Sequence, residues 1–377
     1  MKVSQLVWTE QGGWSDVQPA LEQAQLVIAF GGIQPFSHTD WISDLKAVYP
    51  EAVVFGCSTA GEIAGTDVND DSIVATAIQF DTTTFQLAVV TLEHPQDSRD
   101  AGGRLATLLP QDGLAHVFVL SDGQHVNGSE LVRGLAAHLP EGVQVTGGLA
   151  GDGGRFEETF IVAGDTLLTQ AIAAIGFYGD AIQVGYGSLG GWDPFGPMRT
   201  ITRSDGNVLY ELDGKSALDL YKSYLGEHAA GLPATALLFP LQIQRQGDQG
   251  TLVRTILNVD EQAGSLTFAG DVPVGATAQL MKTNFDNVVQ AASGAALAST
   301  SSLPAADAEL ALLVSCVCRK MVLKQRIEEE VEAVQSVLGP APVITGFYSY
   351  GEICPSDPDS TLQLHNQTMT ITTLSER

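Results

Sequence analysis

The chain twice places a carboxylate directly behind a glycine turn. Residues 53–63 read VVFGCSTAGEI and residues 343–353 read VITGFYSYGEI, so Gly56, Gly61, Glu62 and Ile63 recur as Gly346, Gly351, Glu352 and Ile353 at a constant offset. In each copy an apolar strand meets a glycine, the residue that tolerates positive φ and close approach of another backbone. Glu62 and Glu352 then stand at strand ends, where a carboxylate could receive an amine or guanidinium, or cap its own turn. Arg254 in LVRT and Arg319 in SCVCRK lie in or at the end of apolar strands, and a guanidinium there demands a partner. That partner is either Glu62 or Glu352, or the carboxylate of a ligand. The expectation is that Glu62, Arg254, Arg319 and Glu352 converge on one cleft between two halves of the chain, walled by Tyr348.

Other reactive types are more weakly patterned. Asp152 and Arg155, in GDGGRF, occupy the corresponding loop of a third, shorter-spaced copy. Gly56 and Cys57 complete the ligand-binding set. Cys57, Glu62 and Glu352 could supply nucleophilic or acid–base chemistry, which would make a small-molecule hydrolase. Yet there is no GxSxG elbow, P-loop, HExxH or early GxGxxG, and the glycine-dense 147–154 loop lacks the lysine of a nucleotide site. The reading is therefore a binding protein and not an enzyme. Cys57, Cys316, Cys318 and Cys354 contain no CxxC pair; Cys316 and Cys318, read as one strand, share a face and serve as small buried hydrophobes in a reducing compartment. Of seven histidines, His38 and His125 fall in strand-to-helix loops, where either could ligate a metal. No CxxCH occurs, so a covalently attached haem is excluded.

The elements that must carry these residues repeat three times. LVIAF, the helical DWISDLKAVYP and AVVFG form one strand–helix–strand unit; HVFVL, SELVRGLAAHLP and VQVTGG form a second; ALLVSCV, EEEVEAVQSVLGP and VITG form a third. Pro50, Pro140 and Pro340 close the helices. Each unit is a βαβ crossover, which puts the glycine turns at the carboxyl ends of parallel strands, where open α/β sheets bind ligands. Antiparallel strands follow, with hairpin patterns over 72–91 and 158–177. The fold class is α/β, mixed with α+β features: duplicated strand–helix–strand modules with added antiparallel strands, in two domains. The stretch GWDPFGPMRTITRSDGN reads as a linker, dividing the chain into 1–192, a 193–206 linker and 207–377.

Composition narrows the partners. With 377 residues and 44% hydrophobic content the chain can build substantial cores, and no apolar run is long enough to span a bilayer. The start resembles no signal peptide, so a soluble, cytoplasmic protein is expected. The 44 acidic residues against 18 basic ones give a net charge of −26, and the one basic cluster, Arg319 to Arg326, runs straight into Glu328–Glu330. A nucleic-acid partner is excluded on that balance.

Seven segments in order carry a family resemblance: GGLAGDGGRFEETF, GWDPFGP, NVLYELDGKSALDLY, LVRTILNVD with GSLTFAGDVP, SCVCRK, TGFYSYGEI and HNQTMTITTL. From about Leu26 to Leu374 the chain resembles a FIST protein, with amino-terminal FIST and carboxyl-terminal FIST_C parts. The resemblance implies a small-molecule sensor of bacterial signal transduction, working with a histidine kinase, a cyclic-dinucleotide enzyme or a chemotaxis receptor. It also implies the alternative of a haem-binding nitric oxide sensor, which in this chain would hold a non-covalent haem b through His38 or His125. No output segment is recognisable in the sequence, so the signal is expected to pass to a separate protein, with a homodimer as one assembly open to the chain.

Overall fold

The computed structural model describes residues 1–15, 21, 23–245, 250–301, 303–355 and 362–377. Three parallel strand pairs form the skeleton: Leu26–Gly32 beside Val53–Thr59, Leu114–Ser121 beside Gln144–Leu149, and Leu310–Cys316 beside Val343–Ser349. Their near-continuous apolar runs fit burial on both faces. The crossover helices are Asp40–Val48, Gly128–His138 and Glu328–Leu338. Each pair is flanked by a returning antiparallel strand (Ile73–Gln79, Ala171–Tyr178, Met369–Glu376) and then an outer one (Lys2–Thr9, Thr84–Thr91, Ile182–Leu189). The result is three modules with the same strand order.

Between crossover and return, each module sends a two-stranded hairpin into another module's sheet. The Glu62–Ala64 hairpin joins Val343–Ser349 of the third module, Ile161–Ala163 joins Val53–Thr59 of the first, and Gly351–Pro355 joins Gln144–Leu149 of the second. The exchange closes a ring. At its centre the modules share one core, in which Phe30 stacks on Phe347 at 4.7 Å and Phe55 meets Phe118 edge-on at 6.3 Å.

The repeated glycine has a packing cause. A Cβ at Gly56 would lie 1.8 Å from the Ala29 carbonyl oxygen, and one at Gly346 would lie 2.0 Å from that of Leu313. The parallel strands approach too closely for any side chain there. Neither glycine uses positive φ, although Gly61 does.

Two sequence expectations need correction. Ile73–Gln79 and Thr84–Thr91 are not a hairpin but belong to different modules. The stretch taken as a linker is a thirteen-residue strand, Asp193–Asp205, paired with Thr277–Lys282 on one side and Val208–Leu212 on the other. Its Pro194, Gly196 and Pro197 sit at or beside a register shift between Phe195 and Arg199, where a ladder hydrogen bond is not required. Because Ile182–Leu189 already belongs to the third module, residues 193–282 form an insertion within it. The insertion has its own core around Ile201, Leu209, Tyr221, Phe268 and Leu280.

Candidate ligand-binding site

The two repeated glutamates are structural clamps. Glu62 is fully buried: Thr59 Oγ1 donates to its Oε1, and Ser72 donates to Oε2 from both N–H (3.0 Å) and Oγ (2.8 Å). Glu352 repeats the pattern, accepting from Ser349 Oγ at 2.7 Å and from Thr368 N–H and Oγ1 at 3.1 and 2.9 Å. Each carboxyl ties the entry of its hairpin to the residue that opens the returning strand. Burial pushes Glu62 up to about 7 against the opposing pull of these hydrogen bonds and of Lys320. Glu352 is also raised, by burial first and then by the proximity of Cys316.

The arginines find other partners, so the four-residue cleft is not formed. Arg319 is wholly buried, bonding Glu330 through Nε and Nη2 and the carbonyls of Gly190 (2.6 Å) and Val288 (2.8 Å). Tyr348 belongs to the same network, its hydroxyl donating to Glu330 at 2.6 Å. Arg254 donates to the Leu364 carbonyl at 2.8 Å, and burial lowers it to about 10, still charged at neutral pH. Cys57 lies in the core, its thiol pushed up by burial. Arg155 is exposed.

A cavity does exist, displaced from that set. It has a volume of about 320 Å3 and opens at the carboxyl ends of the crossover strands of the second and third modules, with the insertion forming one side. Gly123, Gln124 and Asn127 enter from the loop after Leu114–Ser121, and Leu149 ends the neighbouring strand. Cys316, Val317 and Cys318 contribute the corresponding end in the third module, and Thr255, Leu257 and Phe268 come from the insertion. Phe156 and Tyr350 form one wall as a stacked pair with centroids 4.4 Å apart. Among the described residues, none that lines the cavity is charged at neutral pH. The Gln124 Nε2 has no hydrogen-bond partner, so an unused donor is present in the wall's side chains.

Two predicted residues stand just behind this wall. Asp152 accepts the Tyr350 hydroxyl and the N–H groups of Phe156, Glu157 and Glu158. Burial alone would raise its carboxyl, but those donors hold it below the ordinary range. It thereby fixes the loop that presents Phe156 against Tyr350. The Arg254 Nε lies so close to Gly270, a cavity residue, that a Cβ at Gly270 would come within 2.9 Å of it.

The histidines do not fit a haem site. His38 is exposed in a separate depression with Trp8, Gln34 and Pro35, and His125 Nδ1 lies 3.4 Å from Asp122 Oδ1. The two belong to different modules, and no histidine lines the cavity among the described residues. A larger depression, about 590 Å3, runs between Thr84–Thr91 and the Ser98–Leu108 helix. It is more open, and its Asp100, Arg104 and His138 are ordinary surface groups.

One short helix joins the cavity to the rest of the molecule. In Val317–Leu323, Cys318 lines the cavity, Arg319 grips Glu330 and two carbonyls, and Lys320 Nζ donates to the Ala60 carbonyl at 2.9 Å and pairs with Asp70. Cys318 is thus in a helix's first turn and not, as the sequence suggested, on a strand with Cys316.

Family models match almost end to end: the FIST N domain over residues 25–215 and the FIST C domain over 217–355. The chain belongs to the FIST family. FIST domains are associated with sensory signal transduction. The boundary near residue 216 falls inside the inserted unit, so the cavity of this FIST chain is built from both family segments. An uncharacterised protein of Methanocaldococcus jannaschii is 23% identical over 299 residues, covering 73% of this chain and 57% of that relative. Among solved structures, a cyanuric acid hydrolase from A. caulinodans aligns over 100% of this chain and 98% of its own at 8% identity with a TM-score of 0.34. A second cyanuric acid hydrolase aligns over 100% and 99% at 7% identity and a TM-score of 0.36. Likeness at that level carries no functional argument. No helix among the described residues is long and apolar enough to cross a membrane.

Proposed function

We propose that this FIST chain is a cytoplasmic sensory protein that binds an uncharged small molecule in the 320 Å3 cavity and signals through a separate partner protein, a histidine kinase, cyclic-dinucleotide enzyme or chemotaxis receptor. The observation that carries the reading is the cavity's lining. It is lined by both family segments, partly aromatic, uncharged, and supplied with the unpartnered Gln124 amide as a donor. A charged ligand would leave water without a counter-charge, whereas a neutral molecule with an aromatic face and a carbonyl-type acceptor matches Phe156, Tyr350 and Gln124. Binding without catalysis is favoured because no histidine, aspartate or glutamate lines the space and burial pushes the Cys316 thiol well above its ordinary range. The Val317–Leu323 helix is the proposed output, since a shift at Cys318 would be felt by Arg319 and Lys320.

The test is thermal unfolding with matched panels of neutral and charged small molecules. A neutral ligand at a hundredfold excess over its Kd stabilises the fold by about 2.7 kcal/mol. Leu257, which lines the cavity yet is 42% exposed, tolerates a long polar side chain. Leu257→Arg should leave the ligand-free midpoint unchanged and abolish the ligand-induced shift. Stabilisation by charged ligands only, or an equal shift in Leu257→Arg, would move the site elsewhere.

A further inference from the structure

The strand Leu310–Cys316 brings one thiol to the cavity and the helix that follows brings a second. Cys316 and Cys318, two residues apart in the chain, both line the cavity, and both are free thiols. The Cys316 N–H donates to the Thr368 carbonyl at 3.0 Å, which fixes the end of the strand beside Gln367. Gln367 is itself pinned, its amide donating to the Leu237 carbonyl and to Thr255 Oγ1 at 3.0 Å each. Cys57 and Cys354 are buried but do not line the space.

We propose that Cys316 and Cys318 form a two-sulfur covalent binding site for neutral trivalent metalloid hydroxides of the type R–As(OH)2. Each thiol displaces one hydroxyl: two As–S bonds form, two As–O bonds break, and each thiol proton leaves with a hydroxyl as water. Nothing is oxidised or reduced. Three features select this class. The reagent, the thiols and the adduct are all neutral, as the lining is; a monovalent soft cation held by two thiolates would leave a net negative charge against a wall with no charged side chain. Two thiols at positions i and i+2 on one cavity wall suit a single pyramidal centre, whose bonds lie on one side, better than a linear two-coordinate ion, which holds its ligands at opposite poles. A four-coordinate zinc site would need further donors, and no group of three or more metal-ligating side chains occurs among the described residues. The stacked Phe156 and Tyr350 offer an apolar wall to an aromatic R group. The burial that raises the Cys316 thiol also protects it from reagents that need a thiolate, such as peroxides.

This inference rests on the cavity admitting small neutral molecules, and the experiment separates the two. Native protein is incubated with equimolar phenylarsine oxide, which hydrates to the dihydroxide, and its intact mass is measured. One phenylarsenic group per chain is expected, removed by a small competing dithiol, together with a raised unfolding midpoint. Cys316→Ser and Cys318→Ala, checked for native circular dichroism, should each lose the adduct, and Cys57→Ser and Cys354→Ser should keep it. Absence of labelling in the native protein while the denatured chain is labelled would overturn the dithiol site. So would an adduct that survives either Cys316→Ser or Cys318→Ala. If that happens while neutral ligands still shift the midpoint, the cavity reading stands without it.

Discussion

Burying a carboxyl group more deeply than its partners offset makes a protein's stability depend on pH, and Glu62 is in that position. Its folded value of about 7 lies above the ordinary 4.5, because burial outweighs the hydrogen bonds from Thr59 and Ser72 and the pull of Lys320. Below the ordinary value both folded and unfolded chains hold the proton, and the contribution is whole. As pH rises from there to about 7, the unfolded chain loses its proton first, and about 3 kcal/mol is lost; above that range the effect levels off. Glu62→Gln stays neutral, with its amide oxygen accepting from Ser72 and its NH2 donating to Thr59. The variant should therefore match wild type in acid and exceed it near pH 8 when midpoints are measured across pH 4–8.5. A parallel decline in both would assign the proton elsewhere. The sequence singled out Glu62 because repetition is visible, but repetition marks equivalent places in equivalent modules, and a clamp repeats as faithfully as a site. Tyr350, two residues from the proposed Tyr348, was legible only as part of YSYGEI. Phe156 and Gln124 gave no sign, since a cavity wall is assembled from loops with no common spacing.

Among the elements, the crossover units were readable because apolar runs, helical periodicity and terminal prolines agree locally. The strand Asp193–Asp205 was not, because its prolines and glycine look like punctuation, and only the partner strands show that they fall at an irregularity. The helix Val317–Leu323 was hidden by its shortness and by the apolar strand it continues. Its stability lies in Arg319. Arg319→Ala would leave Glu330 buried with hydroxyl donors alone and strip the Gly190 and Val288 carbonyls of their donor, at a cost of about 3–5 kcal/mol. Urea unfolding should show that loss, and Arg319→Met combined with Glu330→Gln should recover part of it. A loss under 1 kcal/mol would mean that water replaces the guanidinium.

At the scale of the whole molecule, the hairpin ring decides which pieces of chain can exist alone. Residues 1–192 hold two complete crossover units and look like a domain, yet their Glu62–Ala64 hairpin has its sheet partner at Val343–Ser349, and Gln144–Leu149 loses Gly351–Pro355 from its edge. Expressed alone, that fragment should show no cooperative unfolding transition and should aggregate on gel filtration through its unpaired strand edges. A monomeric fragment with a sharp transition would show the hairpins to be dispensable. The same ring sets a timetable for biosynthesis. The first hairpin leaves the ribosome early but has nowhere to dock until residue 349 has been made, and the edge that waits for Gly351–Pro355 waits as long. The nascent chain therefore carries open β-edges through most of its synthesis. Its large negative charge, which keeps neighbouring chains apart during that interval, serves the unfinished molecule as much as the finished one.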